Sequence, residues 1–474
     1  MFKLLILLIC LVILLILCLA LSPKKLLTPQ SMFLVGFVMS AGYAIFFVDK
    51  MQLDFAEETL LTLVGGALIF VLVSLAVDYI CNRDKYMPVD PVPVEKKKEQ
   101  DNVIDVELWK LVIFMVVEAL ANLLTLKFII GLGASGSLGD QIYYFRNVNM
   151  FTTDTIDMPT IVSLFRLAAF SITSVMVYLF IHQLVFRYSK HRLVIFINIV
   201  LGMTASLITG GRGGLIGYLF DMVVIFYFLT GAKTDWNIKL SMRKIILLVA
   251  LALGFLVLFY FSAELLGRGK QRNFVDYVCV YLSAELKNLD TFIRAGKFGT
   301  PFSNSQTWGV GRAYLAKRFS MGAWGAKLDL PYQAVGNYTL GNVYTIYYAF
   351  LYDGGYLAMV IYTFIMAVFN QFSYQYTLKG LKKNGGSRVK VSLLFTSKML
   401  FVLLFSFFSD KFYETIADIG FIRTMIIWLL LSWFISDFKF LGYEDRVSEM
   451  KITAPRFGRA RRSVAKSSVG SDER

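Results

Sequence analysis

The chain has few charged side chains for its length. Asp, Glu, Lys and Arg make up 17% of its 474 residues, whereas a soluble domain carries about 25%. Hydrophobic residues make up 57%, and they recur in runs of about 20 residues, the length that crosses a hydrocarbon layer. This composition excludes an ordinary soluble enzyme. We predict one polytopic membrane domain over residues 1–440 and a basic, disordered tail over residues 441–474.

Cysteine and histidine are also scarce. The two histidines, His182 and His191, fall at the predicted cytoplasmic end of a span and in the loop after it. The long loop described below has no Asp-x-Asp pair and no His/Cys cluster, so we predict no metal and no cofactor. The four cysteines have spacings that match neither a zinc site nor a disulfide framework, namely Cys10, Cys18, Cys81 and Cys279.

The apolar runs predict an all-α membrane fold with about 11 spans, and roughly 10–13 would fit the pattern. No internal repeat is evident. The predicted spans are residues 1–21, 31–47, 60–80, 108–130, 161–185, 193–209, 213–230, 245–263, 343–369, 391–408 and 421–435.

Positive charge predicts the sidedness of the loops. The formal net charge of +15 would suggest a nucleic-acid partner in a soluble protein, but here Lys and Arg are expected to retain cytoplasmic loops. Alternating the spans then places the N-terminus outside and the C-terminus inside. The long loop over residues 265–342 falls outside although it carries about ten cations and only four or five acids. Long loops can cross regardless of charge; the sharper interpretation is an anion-binding surface on the outer face.

The first candidate for that surface is the run Thr209-Gly-Gly-Arg-Gly-Gly214, at the outer end of a span. Gly211 and Gly213 leave backbone N–H groups accessible, and Arg212 stands just before the next helix. A helix N-terminus together with a guanidinium is a suitable seat for a diphosphate. The alternative is a tight turn whose Arg reaches toward lipid head groups.

A second basic group follows the predicted span 245–263. Arg268, Lys270 and Arg272 could converge on an anion or contact lipid head groups. Tyr281 belongs to a set of aromatic residues that could stack on sugars or anchor at the interface. Glu285 is the low-ranked candidate for accepting a proton from a sugar hydroxyl, and it could equally pair with an Arg.

Further polar residues stand where the long loop enters the next span. Asn288, Asn342 and Tyr344 are candidates for contacting sugar or phosphate. Asp353 lies deeper, in Asp353-Gly-Gly355, where a carboxylate needs a partner or a water-filled cavity. The alternative for Asp353 is a structural carboxylate paired with an Arg.

In these motifs the chain resembles the oligosaccharide repeat-unit polymerases (Wzy type) of O-antigen and capsule synthesis. The resemblance covers about half of the chain. It rests on Thr209-Gly-Gly-Arg-Gly, the long outer loop, Gly341-Asn-Val-Tyr-Thr345 and Asp353-Gly-Gly355.

The resemblance implies a GT-C-like, metal-independent, inverting glycosyltransferase of the bacterial cytoplasmic membrane, active at its outer face. The donor and acceptor would both be polyprenyl-diphosphate-linked oligosaccharides, and a chain-length regulator protein is a possible partner. Arg212, Arg268 and Arg272 would hold the diphosphate. Two alternatives stay open, an O-antigen ligase and a flippase. A ligase typically carries a His in its large outer loop, and flippases usually have similar halves with charges near the midplane.

Overall fold

The computed structural model describes residues 1–22, 25–82, 103–151, 156–237, 274–325, 328–384 and 388–438. The predicted span 245–263, the candidate residues Arg268, Lys270 and Arg272, and the tail 441–474 lie outside these residues. Residues Met1–Ser436 form one compact unit.

The described residues up to 237 are helical, with short connections. After α2 the chain passes through a 3-10 turn at Ile45–Phe47. The helices are α1 (Phe2–Leu21), α2 (Pro29–Ala44), α3 (Val48–Met51), α4 (Glu57–Cys81), α5 (Leu108–Ile130), α6 (Leu138–Phe151), α7 (Thr160–Phe186), α8 (Arg192–Leu207) and α9 (Gly213–Lys233).

The described residues from 274 onward begin with short helices and one hairpin, and end with apolar helices. The two strands pair antiparallel, with an irregularity between Gln333 and Ala334. The elements are α10 (Phe274–Leu282), α11 (Ala284–Ala295), α12 (Gly309–Phe319), β1 (Gln333–Val335), β2 (Tyr338–Gly341), α13 (Ile346–Asn384), α14 (Val391–Leu404), α15 (Lys411–Ile416) and α16 (Ile419–Ser436).

Eight described helices are long and apolar enough to cross a membrane, which confirms a mostly helical membrane fold. The predicted span 193–209 corresponds to α8, and the predicted span 391–408 corresponds to α14 with its 3-10 turn. Both are apolar but shorter than the other eight. The number of spans in the whole chain stays a prediction.

Helix α6 lies in a segment where the sequence predicts only a polar outer connection. Its start is explained by Ser137 and Asp140. The backbone N–H of Ser137 donates to the Asp140 carboxylate at 2.8 Å, and the backbone N–H of Asp140 reaches the Ser137 hydroxyl at 3.3 Å. This reciprocal pair satisfies two donors at the helix start, as in a capping box. This capping motif can therefore be recognised in the sequence.

Close helix packing depends on small residues. A Cβ atom on Gly66 of α4 would lie 2.4 Å from the ring of Tyr347. The glycine therefore lets the buried Tyr347 fit between α4 and α13. Nearby, the rings of Phe33 and Phe70 stack with centroids 4.3 Å apart. These contacts fix the start of α13, the helix that follows the long loop.

Helix α13 is interrupted at Gly354 and Gly355. Gly355 has φ 65° and ψ −153°, a combination that is open almost only to glycine. The break leaves the carbonyls of Tyr352 and Asp353 without helical donors. They accept the backbone N–H groups of Gly299 and Thr300, at 3.1 and 3.3 Å. The long loop is therefore fastened to the interior of α13, a connection that the prediction of one continuous span 343–369 did not include.

The described loops gather at two ends of the helical bundle. At the end that we call the loop end, Lys317 pairs with Asp157 at 2.8 Å and Arg294 donates to the carbonyl of Asp54 at 2.6 Å. At the opposite end, Lys233 donates to the carbonyl of Val185 at 3.3 Å. These groups match the two sets of segments that positive charge separates in the sequence. Which end faces the cytoplasm stays a prediction.

Candidate functional site

The turn between α8 and α9 is built from glycines in close contact with polar side chains. Gly210 has φ 72°, and a Cβ atom there would lie 3.0 Å from Cδ of Arg146. A Cβ on Gly214 would lie 2.3 Å from Oγ of Ser206, while that hydroxyl donates to the carbonyl of Gly211 at 3.1 Å. Larger residues would push the turn away from α6. The glycines therefore bring the start of α9 against Arg146.

Arg212 is the N-cap residue of α9 and is only 4% exposed. Its Nη2 donates to the hydroxyl of Tyr277 at 2.6 Å, and its guanidinium carbon lies 5.8 Å from the centre of that ring. Burial, followed by the neighbouring Tyr281, raises the pKa of Tyr277 to about 12. Tyr277 therefore stays neutral and positions Arg212 through a hydrogen bond and the face of its ring.

Arg146 of α6 joins Arg212, although it is not among the residues that the sequence motifs predict. Its electrostatic neighbours are Arg212 and the tyrosines 277, 281 and 332. Burial, and to a smaller extent the like charge of Arg212, lowers the pKa of Arg146. We call these five residues the Arg146–Arg212 cluster. Two guanidinium groups that repel each other would both be stabilised by a bound anion.

Arg166 reaches the same turn from α7. Its guanidinium donates to the carbonyl of Ala205 at 3.2 Å and to the hydroxyl of Thr209 at 3.1 Å. These bonds satisfy acceptors at the end of α8, which fixes the turn. Arg166 supports the turn from the membrane side.

Tyr281 lies on the side of the cluster that contacts the C-terminal helices. Its ring is 4.8 Å from that of Tyr277 and stacks on Phe408 with an interplanar angle of 6°. It is half-buried. The structure therefore brings Tyr281, a candidate for stacking on sugars, into one cluster with Arg212.

Three other candidate residues connect the long loop to the start of α13. Asn288 is buried and donates to the carbonyl of Val343 at 2.7 Å. Tyr344 donates to the carbonyl of Pro331 at 2.8 Å and accepts from Gln333 at 3.1 Å. These bonds hold the hairpin in place. Asn342 lies between them and is half-buried.

The Asp353 carboxylate is used within the protein. It accepts the Ser305 hydroxyl at 2.6 Å and the backbone N–H groups of Gln306 and Thr307 at 2.7 and 3.2 Å. Arg312 interacts with it electrostatically and donates to three carbonyls of the same loop. This is the structural alternative considered for Asp353, with backbone groups as its main partners.

Glu285 is completely buried between α11 and α2. Its Oε1 accepts the Ser40 hydroxyl at 2.6 Å, and its Oε2 has no hydrogen-bond partner among the residues that the structure describes. Burial raises the pKa of Glu285 to about 8, against a smaller lowering by the Ser40 hydrogen bond. The carboxyl is therefore protonated at neutral pH and enclosed by protein, so a sugar hydroxyl cannot reach it in this conformation.

Within the described ranges, no group of three or more His, Cys, Asp or Glu side chains is arranged to hold a metal ion. No protein-family model, curated protein or solved structure matches the chain. The function is therefore inferred from the geometry of the chain itself and from its sequence motifs.

Proposed function

We propose that this protein polymerises polyprenyl-diphosphate-linked oligosaccharide repeat units into a surface polysaccharide, by inverting glycosyl transfer at the outer face of the bacterial cytoplasmic membrane. The observation that carries the proposal is the Arg146–Arg212 cluster. It places two guanidinium groups and three phenols beside the start of α9, next to the loop end of the bundle. The sequence resemblance supplies the substrate class, and the proposal includes a GT-C-like arrangement of the spans.

The chemistry follows from what the cluster could bind. In the transfer, an acceptor hydroxyl oxygen attacks the anomeric carbon of the donor sugar, and the bond between that carbon and the diphosphate breaks. The electron pair leaves with the diphosphate, where negative charge increases. Guanidinium groups that are already positioned stabilise that charge without reorganising. The proton of the acceptor hydroxyl passes to water, and Glu285 is assigned no part in this step because it is buried.

The arrangement also suits a lipid-linked substrate. Arg212 caps a helix that is long and apolar enough to span the membrane, so a diphosphate at this helix start would sit where a polyprenyl chain enters hydrocarbon. The growing glycan would then extend toward the long loop. A chain-length regulator is a possible protein partner, and the proposal includes no nucleic acid.

The experiment is a gel of lipid-linked and surface glycans from the native bacterium, with the chromosomal copy replaced by variants. Arg146→Ala and Arg212→Ala are expected to reach the membrane in normal amounts but to lose the ladder of long chains, with single repeat units still exported. Lys317→Ala is the matched control, because it removes an exposed cation of the long loop that pairs with Asp157. Full-length polymer in both arginine variants would refute the proposed diphosphate seat.

A transporter of lipid-linked oligosaccharides is the second candidate, and one observation favours it. Two carboxyl groups lie near the middle of membrane helices, the buried Glu118 in α5 and the half-buried Asp221 in α9. Charges at that depth are typical of transport pathways. The same bacteria distinguish the two functions. A strain without the protein would accumulate single units on the cytoplasmic leaflet if the protein is a transporter, and would display single units at the surface if it is a polymerase.

A further inference from the structure

A line of polar side chains crosses the helical bundle near the middle of four apolar helices. Each member is central in its helix or within about one turn of the centre, so the line lies far from both ends of the bundle. Polar groups at this depth cost free energy, and charged ones are usually functional. The members are Glu118 of α5, Thr173 of α7, Tyr218 and Asp221 of α9, and Ser397 of α14.

The hydroxyl of Thr173 lies within hydrogen-bond distance of two oxygens, one of which belongs to Glu118. The Thr173 hydroxyl lies 2.7 Å from the carbonyl of Ala169 and 2.9 Å from Oε1 of Glu118. A hydroxyl has one hydrogen, so it donates to only one of these oxygens. If it donates to the nearer carbonyl, Glu118 must supply the second hydrogen. The arrangement is satisfied when Glu118 is a neutral acid.

The surroundings of Glu118 also favour the neutral acid. The residue is completely buried, and in the described part of the chain nothing hydrogen-bonds to its Oε2. Gly202 of α8 closes the site, because a Cβ atom there would lie 1.6 Å from Oγ1 of Thr173. An ionised carboxylate here would have a single hydrogen-bond donor, which does not compensate the cost of removing the charge from water.

Asp221 forms the other half of the line. Ser397 donates to its Oδ1, and the positive charge of Lys398 on the same helix acts on it. Tyr218, one turn earlier in α9, lies between the two carboxyl groups and has both as electrostatic neighbours. The Tyr218 hydroxyl donates to the carbonyl of Phe170 at 3.3 Å. The Thr173 hydroxyl lies within hydrogen-bond reach of it, so Thr173 can turn its one hydrogen from the Ala169 carbonyl to Tyr218.

The line continues toward the loop end through Arg166. This guanidinium interacts electrostatically with Tyr218. Its Nη2 also donates to the Thr209 hydroxyl at 3.1 Å, and Thr209 belongs to the turn that carries Arg212. Hydroxyl and guanidinium groups therefore connect Glu118 with the loop end of the bundle.

We propose that Glu118 is a proton-binding site in the middle of the membrane, and that it exchanges its proton with water at the loop end through Thr173 and Tyr218. In this exchange the O–H bond of the Glu118 carboxyl breaks, and Thr173 receives that proton while its own hydroxyl hydrogen moves to Tyr218. Tyr218 in turn releases its hydroxyl hydrogen to water at the loop end, and the return of a proton reverses each step. Cations act on other members of the line, Arg166 on Tyr218 and Lys398 on Asp221. The ligand is the proton itself, and the site does not depend on the polymerase proposal.

The charged groups around Glu118 come from several helices. Arg166 is contributed by α7, Tyr218 and Asp221 by α9, and Lys398 by α14. The other helices that pack against α5 carry titratable groups that lie away from the centre of α5, where Glu118 stands. The cations of α5 itself lie near its two ends. These groups are Arg192 of α8, Arg423 of α16, Asp140 and Arg146 of α6, and Lys110 and Lys127 of α5.

Infrared difference spectroscopy of the purified protein in lipid bilayers tests the proposal. The carbonyl stretch of a protonated carboxyl reports Glu118, and a background with Glu285→Gln and Asp410→Asn removes the two other buried carboxyls that have an oxygen without a hydrogen-bond partner among the described residues. In that background the band is expected to shrink as the pH of the medium is raised from about 5 to about 9, and Glu118→Gln should remove it. Gel filtration confirms that the variants remain folded.

Two further results test the route of the proton and the protonation state of Glu118. Tyr218→Phe should keep the band but slow its response to a pH jump at least tenfold. An equal rate would overturn the route through Tyr218. A band that is absent at every pH would show an ionised carboxylate, and a band that never responds would show a static structural acid. Either result would overturn the proposed proton exchange.

Discussion

Asp353 accepts the backbone N–H of Gln306 across 2.7 Å, and this bond joins the break in α13 to a loop almost 50 residues earlier. The same carboxylate accepts hydrogen bonds from the Ser305 hydroxyl and the Thr307 backbone N–H. The carbonyls that the break frees accept the backbone N–H groups of Gly299 and Thr300. The interruption in α13 is therefore the attachment point of the long loop. A membrane helix tolerates such a break because protein groups satisfy its carbonyls.

Removing the Asp353 carboxylate should therefore loosen the loop. Asp353→Ala leaves two backbone donors and a hydroxyl without their acceptor, so we expect a loss of about 2–4 kcal/mol in stability. Asp353→Asn should lower the stability nearly as much, because the NH2 of the new amide would face N–H and hydroxyl groups that are themselves donors. The measurement is thermal unfolding in detergent, combined with limited proteolysis of the loop.

Ser305→Ala is the matched control for Asp353. It removes one of the three bonds to the carboxylate and the bond from the backbone N–H of Trp308, so it should cost only about 1–2 kcal/mol. If Asp353→Ala were cleaved no faster than Ser305→Ala, the carboxylate would not be the attachment point.

Gly355 should resist substitution because of its backbone alone. Its φ of 65° and ψ of −153° are unfavourable for any residue with a Cβ atom, at a cost of about 1–3 kcal/mol. A Cβ atom would meet Phe298 at an ordinary 3.8 Å, so steric overlap adds nothing. Gly355→Ala is expected to lower the melting temperature measurably.

Gly380 of the same helix provides the comparison. A Cβ atom there would meet nothing within 4 Å, and alanine is favoured over glycine within a helix by roughly 0.5–1 kcal/mol. Gly380→Ala should therefore leave stability unchanged or raise it. Equal effects of the two substitutions would contradict the strained conformation at Gly355.

Stability should depend on pH through Glu285. Its pKa is raised by burial from 4.5 to about 8, so the folded chain holds this proton more tightly than the unfolded chain. The stabilisation is fully present below about pH 4.5 and is lost as the pH rises to about 8, a decline on the order of 5 kcal/mol at most. Glu285→Gln should flatten this decline in thermal unfolding curves recorded across that window.

Asp157 is the control carboxyl for this pH dependence. It is exposed and pairs with Lys317 on the surface, so Asp157→Asn should leave the slope unchanged. A wild-type slope in Glu285→Gln would show that another group causes the decline.

The positions of the helices were more predictable than their contacts. The span 108–130 was predicted with the bounds that α5 has, because hydropathy and length define a membrane helix on their own. Arg212 and Tyr281 were selected as candidates, and the structure places them in one cluster. Both depend on local motifs that can be recognised in a single sequence.

The remaining contacts depend on packing between distant segments. Arg146 joins Arg212 because Gly210 permits α6 to approach, and no spacing in the sequence encodes that approach. Glu118 was visible as a carboxylate inside an apolar run, a pattern that marks functional residues, but it was not selected. The break in α13 depended on the conformation at Gly355, which the Gly-Gly pair alone did not predict.

Tyr277 should control how well the cluster binds diphosphate. Its hydroxyl accepts a hydrogen bond from the Arg212 guanidinium at 2.6 Å. Tyr277→Phe keeps the ring and removes that bond. Without it Arg212 loses its fixed orientation, so we expect inorganic diphosphate to bind at least about tenfold more weakly, in line with the lower end of the range for one hydrogen bond to a charged group. Isothermal titration of the purified protein with inorganic diphosphate measures this. Tyr314→Phe, an exposed tyrosine of α12, should bind like the wild type, and equal weakening in both variants would show that the effect does not arise from Arg212.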